Sequence, residues 1–394
     1  MRVNMRFFLV PDGSGKLLSA GRSLRRLLPV TVLLAGLAGC GDGQPAGDDV
    51  TAGAAVEARV VNFYNWSDYI AEETLPGFEA ATGIKVNYDV FDSNDVLEGK
   101  LLAGNTGYDI VVPTNNFFEV QRAAGLFRPL DKDKLPNYRH LDPEILAKLE
   151  PQDPENRFAI PYAWGTNGLG INVDKVRERL PDAPLDSWDL LFKPEFVSQL
   201  QDCGVTVLDA SDEVNEIILN YLGYDTQSTD EAELQEAIAL MTQIRPYIRY
   251  FHSSQYIDDF ANGEVCLVLG WSGDLYQAMD DAEEGMDLRY VIPKEGTIIW
   301  FDLLAIPADA PHPDNAHALI NYLMDPEVAA GNTNATFFPG GNRDALDMVD
   351  PQIRNDPAIY PPPEVMARLF PNPAKPPEYA RLRNRLWTSV KTGI

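Results

Sequence analysis

Arg59-Val60-Val61-Asn62-Phe63-Tyr64 opens the stretch from which the fold can be read, because its β-branched and aromatic residues read as a strand. Residues 71–82 follow as a helical pattern closed by Gly83. Lys85–Tyr88 reads as a second strand, Asn94–Ala103 as a helix, and Tyr108–Val112 as a strand with a near-continuous apolar run. Strand, helix, strand, helix, strand in that order predicts an α/β layer built on a parallel sheet. The later chain keeps the style without repeating the sequence. Gly168–Asn172, Gly204–Leu208, Val265–Gly270, Leu288–Ile292 and Ile298–Ile306 read as strands. Asp212–Leu222, Thr229–Arg245 and Pro313–Met324 read as helices. Nine prolines between Pro351 and Pro377 predict extended loops and short turns, and Glu378–Lys391 predicts a final amphipathic helix.

Upstream of this pattern the chain reads as an address. Lys16, Arg22, Arg25 and Arg26 form a basic region, followed by an apolar run over 27–36 that is too short to span a bilayer. Leu37-Ala38-Gly39-Cys40 resembles the lipobox of bacterial lipoproteins, which implies lipidation of Cys40 and removal of residues 1–39. An ordinary signal peptide cleaved near Ala38 is the alternative. Residues 40–57, mostly Gly, Ala, Asp and Pro, read as a flexible tether.

The 394 residues carry 32 basic and 59 acidic side chains, a formal charge of −27. Six of the basic and one of the acidic residues lie in 1–39, so the chain beyond it carries −32. Such a chain repels phosphates and anionic headgroups, which argues against nucleic acid and membrane-surface binding and favours cationic or neutral partners. With only 11 Lys, part of this acidity also fits a solubility or salt adaptation. The four histidines, His140, His252, His312 and His317, form no metal-ligand spacing, and no Cys stands near them in a zinc pattern. No metal or cofactor is expected. With Cys40 lipidated, Cys203 and Cys266 remain, and an exported chain most simply joins them in one disulfide; two buried thiols are the alternative.

One motif recurs at strand ends. Trp66 precedes Asp68 in Tyr64-Asn65-Trp66-Ser67-Asp68-Tyr69, Trp271 precedes Asp274 in Gly270-Trp271-Ser272-Gly273-Asp274, and Trp300 precedes Asp302. Ligands of open α/β sheets bind at the carboxyl ends of strands. Aromatic faces beside carboxylates suit an organic cation: rings hold its methylenes and attract its ammonium, and carboxylates accept its hydrogen bonds. Singly, each pair also reads as a core Trp and a helix-capping Asp. Two such carboxylates could instead serve a glycosidase.

Longer motifs carry a resemblance. They are Asn65–Ile70, Thr82–Val86, Asp89–Asn94, Tyr108–Pro113, Asp186–Asp189, Arg249–Tyr256, Gly270–Asp274 and Ile292–Gly296. On these the chain, from Val60 to Gly393, resembles the periplasmic polyamine-binding proteins of ABC transporters. The resemblance implies a type II periplasmic-binding-protein-like α/β fold: two lobes, a hinge and an interlobe ligand cleft. Lobe one is expected at 58–163 plus 296–335, lobe two at 168–290 plus 338–394, and the hinge crossings at 164–167, 291–295 and 336–337. It implies a non-enzymatic, monomeric receptor that captures putrescine or spermidine and delivers it to the permease subunits. A receptor for an amino acid or a choline-like cation, or a carboxylate hydrolase, is the alternative. Cys203 and Cys266 match the family's cysteine pair. By position, the implied ligand residues are Trp66, Ser67, Asp68 and Tyr69 from lobe one, Glu213, Trp271 and Asp274 from lobe two, and Asp302 near the hinge. Thr114, Asn116 and Phe117 match the loop after Pro113, where the family often has Ser. Phe338 stands where putrescine-type receptors have Tyr, and Trp300 stands where they have Phe, its larger ring resembling spermidine-type members. Spermidine is therefore expected to bind at least as tightly as putrescine.

Overall fold

The structure, a computed structural model, describes residues 58–393. The expected export signal, the expected tether and Cys40 all lie outside those residues. The opening pattern becomes β1 (Val60–Trp66), α1 (Thr74–Thr82), β2 (Lys85–Phe91), α2 (Asn94–Ala103) and β3 (Ile110–Val111), followed by α3 (Asn115–Ala123). Gly83 ends α1 in the left-handed region at φ 69°, where a residue without Cβ carries no steric cost. The Ser93 side chain caps α2 by accepting from the Val96 amide. Strand β4 (Ala159–Asn172) and β5 (Val205–Val207) lead to helices α4 (Ser211–Leu222) and α5 (Glu231–Ile244). Then come β6 (Tyr250–Phe251), β7 (Leu267–Trp271), α6 (Ser272–Asp281), β8 (Leu288–Val291) and β9 (Ile298–Ala305). Helices α7 (Pro313–Leu323) and α8 (Pro326–Thr336), strand β10 (Phe370–Pro371) and helix α9 (Pro377–Thr392) close the chain.

The strands run in the order β2-β1-β3-β9-β4-β7-β5-β6, with β10 added to β9 and β8 to β4. The flanks are parallel, as the alternating pattern predicts: β1 with β2 and β3, and β5 with β6 and β7. The centre is not. Strand β4 pairs antiparallel with β9 through its first half and with β7 and β8 through its second. The sheet is therefore mixed, and β4 belongs to both halves of it. Its full 14 residues escape a sequence reading because Gly165, Gly168 and Gly170 interrupt the side-chain pattern. Gly165 is required by its neighbour: a Cβ there would come within 2.5 Å of the Trp300 ring on β9.

All eight residues of β9 are buried, and seven are apolar, so this strand is core on both faces. The eighth is Asp302. A charged residue in such a strand is kept for a reason other than packing. The 351–377 stretch holds two short helical turns, Pro351–Arg354 and Pro363–Met366, ahead of β10. Sequence reading passes over α3, α6 and α8. Helix α6 starts directly at the end of a strand with Ser272-Gly273, and α8 carries Gly331 among Asn and Thr, all weak helix formers.

Cys203 and Cys266 are joined in a disulfide, with Cα atoms 5.5 Å apart and a sequence separation of 63. It sits just ahead of the β5–β7 pair, where Val205 faces Leu267. Closing a loop of this size stabilises by roughly 4 kcal/mol in the chain-entropy model. Replacing both cysteines with Ala is expected to lower the unfolding free energy by a few kcal/mol in urea titration. An unchanged midpoint would show that the bond adds nothing to stability.

Candidate ligand site

A cavity holding about 420 Å³ of space free of protein atoms, part of it open to solvent, lies at the centre of the sheet. Trp66 reaches it from the end of β1, Ser67 and Tyr69 from the loop beyond, and Thr114 from the residue before α3. Glu213 comes from the first turn of α4, Trp271 from the end of β7, Asp274 from the first turn of α6, and Trp300 and Asp302 from β9. Phe338 follows α8. The chain thus brings residues more than 270 positions apart to one wall.

Three carboxylates on this wall are almost wholly buried: Glu213 is 5 % exposed, Asp274 6 % and Asp302 4 %. Each is held by neutral donors. Thr114 Oγ1 donates to Asp302 Oδ1 at 2.7 Å, and Tyr256 Oη donates to Asp274 Oδ2 at 2.6 Å. Asn167 Nδ2 and Trp271 Nε1 donate to Glu213 Oε2 at 2.6 and 2.7 Å. Among the described residues no Lys or Arg pairs with any of the three. Burial accordingly pushes Asp274 and Asp302 up to about 7, against the opposing pull of their hydroxyl partners. Glu213 is raised by burial and by the adjacent Asp212 charge. Both Glu213 and Asp274 lie in first helical turns, where the helix dipole favours negative charge.

The aromatic walls are fixed by their own contacts. Trp66 Nε1 donates to the Val112 carbonyl at 2.9 Å, and its ring meets Phe91 at 4.5 Å and Trp271 at 5.7 Å between centroids. Phe338 packs against Tyr69 at 4.8 Å and Trp300 at 5.4 Å. Gly273 permits this: a Cβ there would come within 2.5 Å of the Phe338 ring. The Tyr162 hydroxyl holds the Tyr69 carbonyl at 2.7 Å.

Three residues expected in the site do not line this cavity. Asp68 is exposed, in the left-handed region at φ 54°, although its charge still raises the Asp274 pKa. Asn116 turns away and donates to Asp212 at 3.0 Å, and Phe117 lines a neighbouring chamber. Conversely, Asp92 and Ser253 line the cavity, and Asn167 and Tyr256 hold its acids. Asp92, Ser253 and Tyr256 lie inside the Asp89–Asn94 and Arg249–Tyr256 motifs, so the signal is present in the sequence without a role attached.

Residues 76–361 match the model of the bacterial extracellular solute-binding protein family. The chain belongs to this family. It is 50% identical over 344 residues to the putrescine-binding periplasmic protein PotF of Escherichia coli, covering 86% of this chain and 93% of that one. It is 49% identical to the putrescine-binding periplasmic protein SpuD of Pseudomonas aeruginosa, covering 88% and 96%. The solved spermidine/putrescine ABC transporter substrate-binding protein of Streptococcus pneumoniae superposes with a TM-score of 0.69 at 30% identity, covering 85% and 99%. The mixed α/β architecture is therefore the periplasmic-binding-protein fold. Membership of a solute-binding family also answers the hydrolase alternative, since this is a family of binding proteins rather than of enzymes.

The raised carboxylates give a pH dependence with a definite sign. A cation that pairs with Asp274 and Asp302 needs them ionised, so binding must expel the protons they hold in the empty site. Affinity for a polycation is expected to rise between about pH 5.5 and 8, with proton release, and to level off above the raised values near 7. Folding of the empty protein follows the opposite sign. These groups bind protons more tightly folded than unfolded, so they lose stabilising effect as pH rises from about 4 to about 7. Calorimetric titration across this range checks the first expectation; pH-independent affinity would contradict it.

Proposed function

We propose that this protein is the extracytoplasmic receptor of an ABC importer for polyamines, anchored to a membrane through lipidated Cys40 and handing its ligand to permease subunits. The observation that carries this reading is the set of three buried carboxylates, Glu213, Asp274 and Asp302, in an aromatic-walled cavity where no Lys or Arg among the described residues pairs with them. A flexible chain of methylenes bearing two or three ammonium groups supplies what the site lacks. Its nitrogens take the free carboxylate oxygens, and its methylenes lie against Trp66, Trp271 and Trp300. The putrescine named in the relatives supports the same ligand class.

In this reading the lobes are residues 58–163 with 296–335, and residues 168–290 with 338–394. The chain crosses at 164–167, 291–295 and 336–337. The course of β4 supports the first crossing, since it passes from the β9 side of the sheet to the β7 side near Thr166 and Asn167. Phe337, in the left-handed region at φ 59°, marks a turn of the backbone at the third. Closure of the lobes around the amine is the signal read by the permease.

Putrescine, spermidine and cadaverine titrated against the ligand-free protein are expected to bind and to raise its melting temperature by mass action. Spermidine is expected to bind at least as tightly as putrescine, because three buried acids match three ammonium groups. Putrescine preferred tenfold or more would overturn that order, and failure of every amine to bind would overturn the function. Asp274→Asn is expected to weaken binding by about 2 kcal/mol, roughly thirtyfold. Diols of the same length should bind worse by several kcal/mol, since they leave buried carboxylates unpaired.

A further inference from the structure

The cleft does not stop at the Trp66–Trp271 pair. Both rings, with Glu213 and Asp92, also wall an outer chamber holding about 270 Å³ of space free of protein atoms. That chamber shares Asp92, Asp95, Asp209 and Ser253 with a wider mouth of about 870 Å³, part of it open solvent. Its own acidic group is Asp212, 8 % exposed and next in sequence to Glu213. Asn116 and Asn372 donate to Asp212 Oδ2 at 3.0 and 2.8 Å. Among the described residues Asp212 Oδ1 has no hydrogen-bond donor, and no Lys or Arg pairs with this carboxylate.

A second observation is independent of the acids. Ser253 is 7 % exposed and lines the inner cavity, the outer chamber and the mouth alike. Its hydroxyl has no hydrogen-bond partner among the described residues, and the residue lies where the inner cavity, the chamber and the mouth adjoin. The third observation is an ammonium already at the mouth. Lys391, in the last turn of α9, places Nζ 2.8 and 2.6 Å from the two Asp209 carboxylate oxygens, and Trp387 Nε1 donates to the same carboxylate at 2.8 Å. An aromatic ring, a carboxylate and an ammonium are the same three chemical parts as a bound amine in the inner cavity. The field of Lys391 reaches further than Asp209. Burial and the charges of Asp212 and Asp209 raise the pKa of Asp95 across the mouth, and Arg383 and then Lys391 pull it down.

We propose that the outer chamber is a subsite for the distal ammonium of an amine longer than a triamine, with Asp212 as acceptor. In this arrangement the Lys391 ammonium competes with that group and sets the upper limit on ligand length. This inference rests on the polyamine reading of the inner cavity. There Glu213, Asp274 and Asp302 take up to three ammonium groups, and a fourth must pass the Trp66–Trp271 pair. Beyond that pair it meets Asp212 and Ser253, but also a like charge tethered to Asp209. Lysine at 391 therefore selects against tetramines while leaving diamines, which never reach the mouth, unaffected.

The test titrates the full chain with putrescine, spermidine and spermine, comparing wild type with K391M, K391Q and K391M/D212N. K148M is the control that removes the same charge at an exposed position on a distant surface helix. K391M and K391Q are expected to improve spermine affinity about threefold or more relative to spermidine, with putrescine changed less than about twofold. Adding D212N should cancel the gain. A spermine-to-spermidine ratio that moves no more than in K148M, or a gain that survives D212N, would overturn the proposal. K391Q keeps the test decisive should K391M fail to fold. If wild type binds no amine, the polyamine reading itself fails. If wild type binds putrescine and spermidine but the ratio stays fixed in the variants, only the outer subsite fails.

Discussion

Burying a carboxylate away from any cation costs several kcal/mol unless it is protonated or fully hydrogen-bonded, and this protein does so three times around one cavity. Asp302 lies in a strand that is otherwise apolar and wholly buried. Glu213 and Asp274 lie in the first turns of two helices. The neutral partners Thr114, Asn167, Trp271 and Tyr256 each satisfy one oxygen and hold its orientation. They cannot neutralise the charge. The site is electrostatically complete only with protons or with an organic cation, and the cation is the ligand.

The sheet is arranged to serve this requirement. Strands β4 and β9 run antiparallel through the centre, and the parallel flanks end their strands towards them. Trp66 and Trp271, each at the end of its strand, meet with ring centroids 5.7 Å apart at the cavity that Asp302 also lines. Side chains then come closer than ordinary packing allows, because the facing residues are glycines: Gly165 beneath Trp300 and Gly273 beneath Phe338.

Much of this was legible in the sequence. The alternation of strands and helices from β1 to β3 gives the α/β class, and the Trp-then-Asp motif marks the three strands, β1, β7 and β9, whose residues line the cavity. The disulfide followed from an exported chain with one remaining cysteine pair and from the family's matching pair. What could not be read was pairing direction and side-chain aim. Strand β4 hides behind its glycines, so the antiparallel pairing at the centre has no signal in the sequence. Asp68 carries the right chemistry, but its left-handed backbone turns it to solvent. Asn116 has the right position, yet it serves Asp212. Ser253 lines the cavity from the segment after β6, and Tyr256 reaches Asp274 from the start of the short helix Tyr256–Ala261; no periodicity announces either.

The chain carries a formal charge of −27, and most acidic side chains among the described residues lie outside the buried core. Its functional part is the small set of acids that the fold removes from water, beginning with Glu213, Asp274 and Asp302. The most direct measurement is a crystal structure of the protein grown with spermidine. The account predicts ligand nitrogens at about 3 Å from oxygens of all three carboxylates, with the methylenes against Trp271 and Trp300. Ligand density elsewhere, or nitrogens facing only water within this cavity, would contradict it.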